Sequence, residues 1–231
     1  MKTSFWTKLL DLIAPRLCVG CGRRLSAEES VLCPACRLHL TPTDFVLSPL
    51  DNRMARLFWG HVPLERAAAY FYYEPKTLAG HIVHAMKYHG RSDVAESLGA
   101  MMARDFARHD FFSDIDLLVP VPLTRRRQWQ RGYNQSHHIA LGIHSVMGIP
   151  VESRALRRVR FSESQTHMDI DSRRKNVEGV FRLLDAAAVR GRHVLLVDDV
   201  VTSGSTTISC ARELLRAEGV RVSVLSLGFT R

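Results

Sequence analysis

The stretch from Arg192 to Thr207 constrains this chain most. Val194 to Val197 is a continuous apolar run of strand length, which predicts a strand buried on both faces. Two carboxylates, Asp198 and Asp199, stand where that strand is expected to end. The turn Thr202-Ser203-Gly204-Ser205-Thr206 follows, and then Ile208, Ala211, Leu214 and Leu215 recur at helical spacing as far as Gly219. A helix N-terminus presents unpaired N–H groups and partial positive charge, and Gly204 lets an anion come close to the backbone. The turn therefore has the makings of a phosphate cradle, with two carboxylates at its edge.

Hydroxyl residues at such a turn can also serve only to cap the helix. Five of them around one glycine, directly after paired aspartates, favour the cradle. The turn holds neither G-x-x-x-x-G-K-[ST] nor G-x-G-x-x-G, which disfavours ATP hydrolysis and dinucleotide binding. It resembles the PRPP-binding motif of type I phosphoribosyltransferases: hydrophobic strand, Asp-Asp, two apolar residues, Thr-x-Gly-x-Thr.

Cys18-x-x-Cys21 and Cys33-x-x-Cys36 form two pairs separated by eleven residues. Each pair can clasp a metal through a tight turn, and four thiolates complete tetrahedral Zn²⁺ with no open position. Such a closed site is structural and fastens a segment too small for its own core. Disulfides are a poor alternative at this spacing, and a redox role for one pair leaves the second unexplained. Contact of this ribbon with nucleic acid stays open. Four of the five cysteines lie in this one set, so the chain is expected to be cytoplasmic.

At 231 residues the chain suits one medium domain with a small appendage, expected as residues 1–43 (helix and ribbon), 44–65 (linker) and 66–231 (main domain). The linker expectation rests on Pro42, Pro49 and Pro63 and on missing periodicity. A net charge of +9 points to anionic partners, whether phosphorylated metabolites or nucleic acid. No apolar stretch reaches the ~20 residues of a membrane span. Ser4 to Ala14 predicts a short amphipathic helix packed on the protein's own body.

Strands are expected over Arg66–Tyr73, Ile115–Val121, Val151–Leu156, Val180–Leu184 and Val220–Leu227. Helical patterns cover Thr77–Tyr88, Val94–Ala107 and Asn134–Val146. Strands alternating with helices predict a parallel sheet covered on both faces. Lys87, at a basic helix exit before Gly90, is either a solvated charge or a phosphate ligand. Thr124 to Ser136 is expected as a loop and places four arginines in seven residues just past a strand. Ligands gather at that sheet edge, and guanidinium groups match phosphate oxygens. Arg157 to Asn176 is expected as a long cation-rich connection with little core-forming pattern, of the kind that is either a lid or disordered. Cys210 faces the apolar side of its helix and reads as core.

The cysteine ribbon, Lys87-Tyr88-x-Gly90, Pro120-Val121-Pro122-Leu123, Arg131-Gly132-Tyr133-Asn134-Gln135, Gln165-Thr166, Arg173-x-x-Asn176 and the acidic-pair motif occur in the order of the ComF family. The resemblance spans nearly the whole chain. It implies a type I phosphoribosyltransferase fold with an N-terminal zinc ribbon, and some relatives are associated with DNA uptake in natural competence. The lid and motif are also similar to glutamine PRPP amidotransferases, but the N-terminal nucleophilic cysteine and glutaminase domain are missing, so that reaction is not expected.

The resemblance implies displacement of pyrophosphate from PRPP with Mg²⁺ and an unnamed acceptor. Thr202, Ser203, Gly204, Ser205 and Thr206 would hold the 5-phosphate. Asp198 and Asp199 would hold the ribose hydroxyls, with Asp199 a further possible base. Arg125, Arg126, Arg173, Arg174 and Lys87 would offset the remaining charge. The alternative is a binding protein that keeps the fold without turnover and contacts single-stranded DNA or a DNA-uptake helicase. Its base-stacking groups would be Trp129, Tyr133 and Phe161.

Overall fold

A computed structural model describes residues 15–88, 90–159 and 179–231. The expected Ser4–Ala14 helix and the lid residues Arg173 and Arg174 lie outside the described residues.

Four strands form one parallel sheet: β1 (Arg66–Tyr73), β2 (Leu117–Pro120), β5 (His193–Val201) and β6 (Arg221–Thr230). Their spatial order is β1-β6-β5-β2, with Leu118 opposite Leu195 and Val197 opposite Leu225. Val194, Leu195, Leu196 and Val197 are wholly buried, as a central strand covered on both faces requires. Helices α2 (Leu78–Tyr88), α3 (Ser92–Ala107), α5 (Gln135–Met147) and α7 (Ser205–Leu214) supply the cover. This is the expected class: a parallel sheet flanked by helices.

β5 runs past the expected stop. Asp198 pairs in register with Ser226, Val200 with Gly228 and Val201 with Phe229, so the acidic pair sits inside the strand's last turns of pleat. The arginine segment is not a loop. Residues Arg125–Arg131 form a short helix, α4, because Thr124 Oγ1 accepts from the Arg127 N–H at 3.1 Å and caps the start. The strand expected over Val151–Leu156 splits: Val151 bridges Leu118, while β3 (Leu156–Arg158) leaves the sheet and pairs antiparallel with β4 (Phe181–Leu183). This ribbon is tied to α7 by the Leu183 N–H, which donates to Glu213 Oε2 at 3.3 Å. A one-turn helix, α6 (Ala186–Val189), leads into β5.

Residues 44–65, expected as a linker, place Phe45, Met54 and Phe58 in the core, each at most 2% exposed. Proline spacing had masked this, because two short 3₁₀ turns bury their side chains without any sustained period. Asn52 organises the segment by donating to the Ala67 carbonyl at 2.8 Å and accepting from the N–H groups of Met54 and Ala55.

Helices α3 and α5 cross at unusually short range. A Cβ at Gly142 would lie 2.0 Å from the Glu96 carbonyl oxygen, and one at Gly99 would lie 2.2 Å from that of Ile139. The close crossing seats α5 under β2 and β5, and so fixes where its first turn meets the acidic pair.

Candidate functional site

The site forms at the carboxyl edge of the sheet, where β5 hands over to α7. Gly204 caps α7 with φ of +75°, a left-handed conformation that a side chain at this position would strain. As a glycine it offers no side chain to the first-turn amides, which stay available to an anion. Thr202, Ser203 and Ser205 are exposed, so the turn is open. A small cavity of about 50 Å³ is lined by Asp198, Val200, Val201 and the turn residues from Thr202 to Thr207. Internal bonds shape the turn: Ser203 and Ser205 share a hydroxyl bond at 2.9 Å, and Thr207 Oγ1 donates to the Gly204 carbonyl at 2.9 Å.

The two carboxylates differ in surroundings. Asp198 is 8% exposed, accepts from Ser136 Oγ at 3.2 Å and from the Asp199 N–H at 2.9 Å. Burial pushes its carboxyl up to about 7, and the neighbouring Asp199 charge adds to the shift; the Asp199 N–H, Lys87 and Ser136 oppose it. Asp199 accepts from the Val200 N–H at 2.7 Å and forms an ion pair with Lys87 Nζ at 3.0 Å. Lys87 is therefore no solvated helix end. Tyr133 holds the end of α2 in place by donating its hydroxyl to the Met86 carbonyl, one residue before that lysine.

Ser136 was missed as a site residue. It lies in the first turn of α5, whose cap, Asn134, also donates to the Val121 carbonyl at 3.1 Å. The only signal in the chain was a hydroxyl directly after Asn134-Gln135, and local pattern gives that no meaning. Arg125 and Arg126 are exposed on α4. Arg125 lines a separate cavity with Arg157 and Arg158, and Arg126 lines neither it nor the small cavity. Cys210 is wholly buried, as expected for a core residue, and burial pushes its thiol up.

At the other end of the chain, the sulfur atoms of Cys18, Cys21, Cys33 and Cys36 all lie within 4.8 Å of one another. Cys33 caps α1 (Pro34–His39), and its sulfur accepts from the Cys36 N–H at 3.4 Å while Cys18 Sγ accepts from the Cys33 N–H at 3.3 Å. The Cys36 N–H pulls the Cys33 thiol down to about 6. Four converging sulfurs, two of them held by backbone N–H groups, fit a tetrahedral metal. The ribbon is fastened to the sheet domain by Arg37, which pairs with Asp105 at 2.9 Å, and Asp105 also accepts from Tyr70 Oη at 2.6 Å.

Residues 136–227 match the description "Phosphoribosyl transferase domain". Over 214 residues the chain is 32% identical to "DNA utilization protein YhgH" of Salmonella typhi, covering 91% of this chain and 89% of that protein. It is 30% identical over 153 residues to "Competence protein F" of Haemophilus influenzae, covering 64% and 65% of the two chains. The chain belongs to the ComF family.

The matched span of this ComF-family chain starts at Ser136 and takes in Asp198, Asp199 and the turn. Glutamine phosphoribosylpyrophosphate amidotransferase from B. subtilis, complexed with ADP and GMP, is 22% identical over 61% of this chain and 30% of that one, with a TM-score of 0.41. Among the described residues, no helix is long and apolar enough to cross a membrane.

Proposed function

We propose that this ComF-family protein binds PRPP and transfers its phosphoribosyl group, displacing pyrophosphate. The observation that carries the reading is the position of Asp198, which lines the same cavity as Thr202–Thr207 and is braced by Ser136. The amides of Thr202, Ser203, Gly204, Ser205 and Thr206 receive the 5-phosphate. Asp198 and Asp199 accept from the ribose hydroxyls and steady a sugar that gains positive charge as the bond at its anomeric carbon breaks. The pyrophosphate leaves with the bonding electron pair, the acceptor's lone pair forms the new bond, and its proton goes to solvent.

Lys87, Arg125 and Arg126 offset the charge of the departing pyrophosphate, together with Arg173 and Arg174 outside the described residues. The oxygen-rich acidic pair suits a hard cation, and Mg²⁺ supplies neutralisation of the leaving group when bound. Zn²⁺ in the four-cysteine clasp has a structural role, since four thiolates leave no coordination position for substrate.

Calorimetry with PRPP and Mg²⁺ tests the reading directly. The Asp198→Asn, Asp199→Asn double variant should lose measurable affinity while keeping its fold by circular dichroism. Equal affinity in the two proteins would refute the site.

A second reading has one observation in its favour. Trp129 is 87% exposed on α4, beside Arg125, Arg126 and Arg127, as a base-stacking group among cations would be. Single-stranded DNA would then be bound with affinity that falls steeply as salt rises. Binding without a salt slope, or an unchanged Kd in Trp129→Ala, removes it.

A further inference from the structure

A second cavity, of about 330 Å³, is lined by Thr124 and Arg125 at the start of α4 and by Arg157, Arg158 and Val159 at the end of β3. Its size falls in the range of small-ligand sites. Three arginines, Arg125, Arg157 and Arg158, contribute to its lining, and among the described residues none of them forms an ion pair with a carboxylate. The lining contains neither aspartate of the acidic pair and no residue of the phosphate-cradling turn; it shares with the PRPP reading only Arg125, at the pyrophosphate side.

Arg158 carries the strongest indication of purpose. Its guanidinium lies 5.2 Å from the centre of the Phe181 ring, a flat cationic and aromatic face. Burial and the charge of Arg127 both push its proton affinity down, while Asp198 lies close enough to act on it electrostatically. Arg125 and Arg157 are exposed and Arg158 is half-buried, and a half-buried guanidinium beside another cation is unfavourable unless an anion joins it. Arg158 therefore links this cavity electrostatically to Asp198, while the lining contains no residue of the cradle.

We infer that this cavity holds an anionic group, a carboxylate or a phosphate, of the acceptor that attacks PRPP. The inference rests on the PRPP reading above and adds the chemical class of the second substrate. The 5-phosphate has the turn amides and the pyrophosphate has its cation. Arg157 and Arg158, on a ribbon packed against α7, serve a third anion.

Side-chain Nε–Hε NMR spectra of the full chain test this, titrated with sodium succinate and with sodium phosphate against sodium chloride at matched ionic strength. Saturable shifts of the Arg157 and Arg158 signals are expected with one of the two, which separates a carboxylate from a phosphate ligand. Arg157→Gln and Arg158→Gln should each weaken that anion at least about tenfold, with Mg²⁺–PRPP affinity by calorimetry unchanged. Arg157→Gln leaves the Phe181 stack intact and serves should Arg158→Gln misfold. Shifts that only follow chloride, with PRPP still bound, overturn this inference alone. A parallel loss of PRPP affinity in the variants overturns it by assigning the arginines to pyrophosphate. Anion binding in a wild-type protein that binds no PRPP removes the acceptor assignment together with the transferase reading.

Discussion

Lys87 Nζ lies 3.0 Å from Asp199 Oδ2, joining the end of the first sheet helix to the last residues of β5. Both side chains are largely shielded, at 21% and 14% exposed, so this ion pair is not of the weak, fully hydrated kind. Under the proposed function it brings the cation assigned to phosphate and the carboxylate assigned to the sugar into one place. Lys87→Met should leave Asp199 uncompensated beside an incoming polyanion and weaken Mg²⁺–PRPP at least about tenfold. Calorimetry of the variant checks this, and an unaltered Kd would return Lys87 to a structural role.

The raised proton affinity of Asp198 gives a defined pH dependence. Its carboxyl takes up a proton more readily folded than unfolded, so its stabilising contribution is complete below the ordinary value of 3.8 and lost as pH rises through about 7. Urea midpoints of the wild type should therefore fall between those limits relative to Asp198→Asn, by up to a few kcal/mol in free energy. Parallel curves for the two proteins would show that Asp198 titrates normally. Taking the difference cancels Asp114, whose carboxyl is held below its ordinary range by Arg66, His193 and Arg221.

The clasp should contain one Zn²⁺ per chain by elemental analysis. Cys33→Ser with Cys36→Ser should abolish it and lower Tm by roughly 4–8 °C, for a loss of about 2 kcal/mol. Zinc-free protein with an unaltered Tm would contradict a structural metal.

Gly142→Ala should destabilise the fold by about 1–3 kcal/mol or more, because the added methyl meets the backbone of α3 and not a movable side chain. A chemical denaturation curve reads this. PRPP affinity should fall as well if the crossing of α3 and α5 is what sets Ser136 against Asp198.

Gly204→Ala separates cradle geometry from charge. At φ of +75° alanine is strained by about 1 kcal/mol, yet ordinary contacts with Leu57 and Ile208, each 3.5 Å from the new Cβ, leave it room. Stability should drop modestly while phosphate-dependent affinity drops more. A variant equal to wild type in PRPP binding would show that the turn does not need its left-handed residue.

Short-range chemistry was legible in the chain itself. The β5–turn–α7 unit and the four-cysteine clasp each draw on residues close in sequence, so spacing, hydroxyl content and glycine position announce them. Thr124 shows the limit even at short range: capping made a helix of a segment whose arginines suggested only a loop. The segment holding Phe45, Met54 and Phe58 shows another, since burial there follows no period of 2 or 3.6.

By itself, then, the sequence determined the alternation of strands and helices, the acidic pair beside a hydroxyl-rich glycine turn and the four-cysteine set. Only the tertiary structure decided that Ser136 supports Asp198, that Lys87 meets Asp199 and that Arg125, Arg157 and Arg158 line one cavity. Those pairs arise where parallel strands end together and helices from distant parts of the chain converge on one edge. Their partners are set by packing distances such as the α3–α5 crossing, and no local periodicity encodes them.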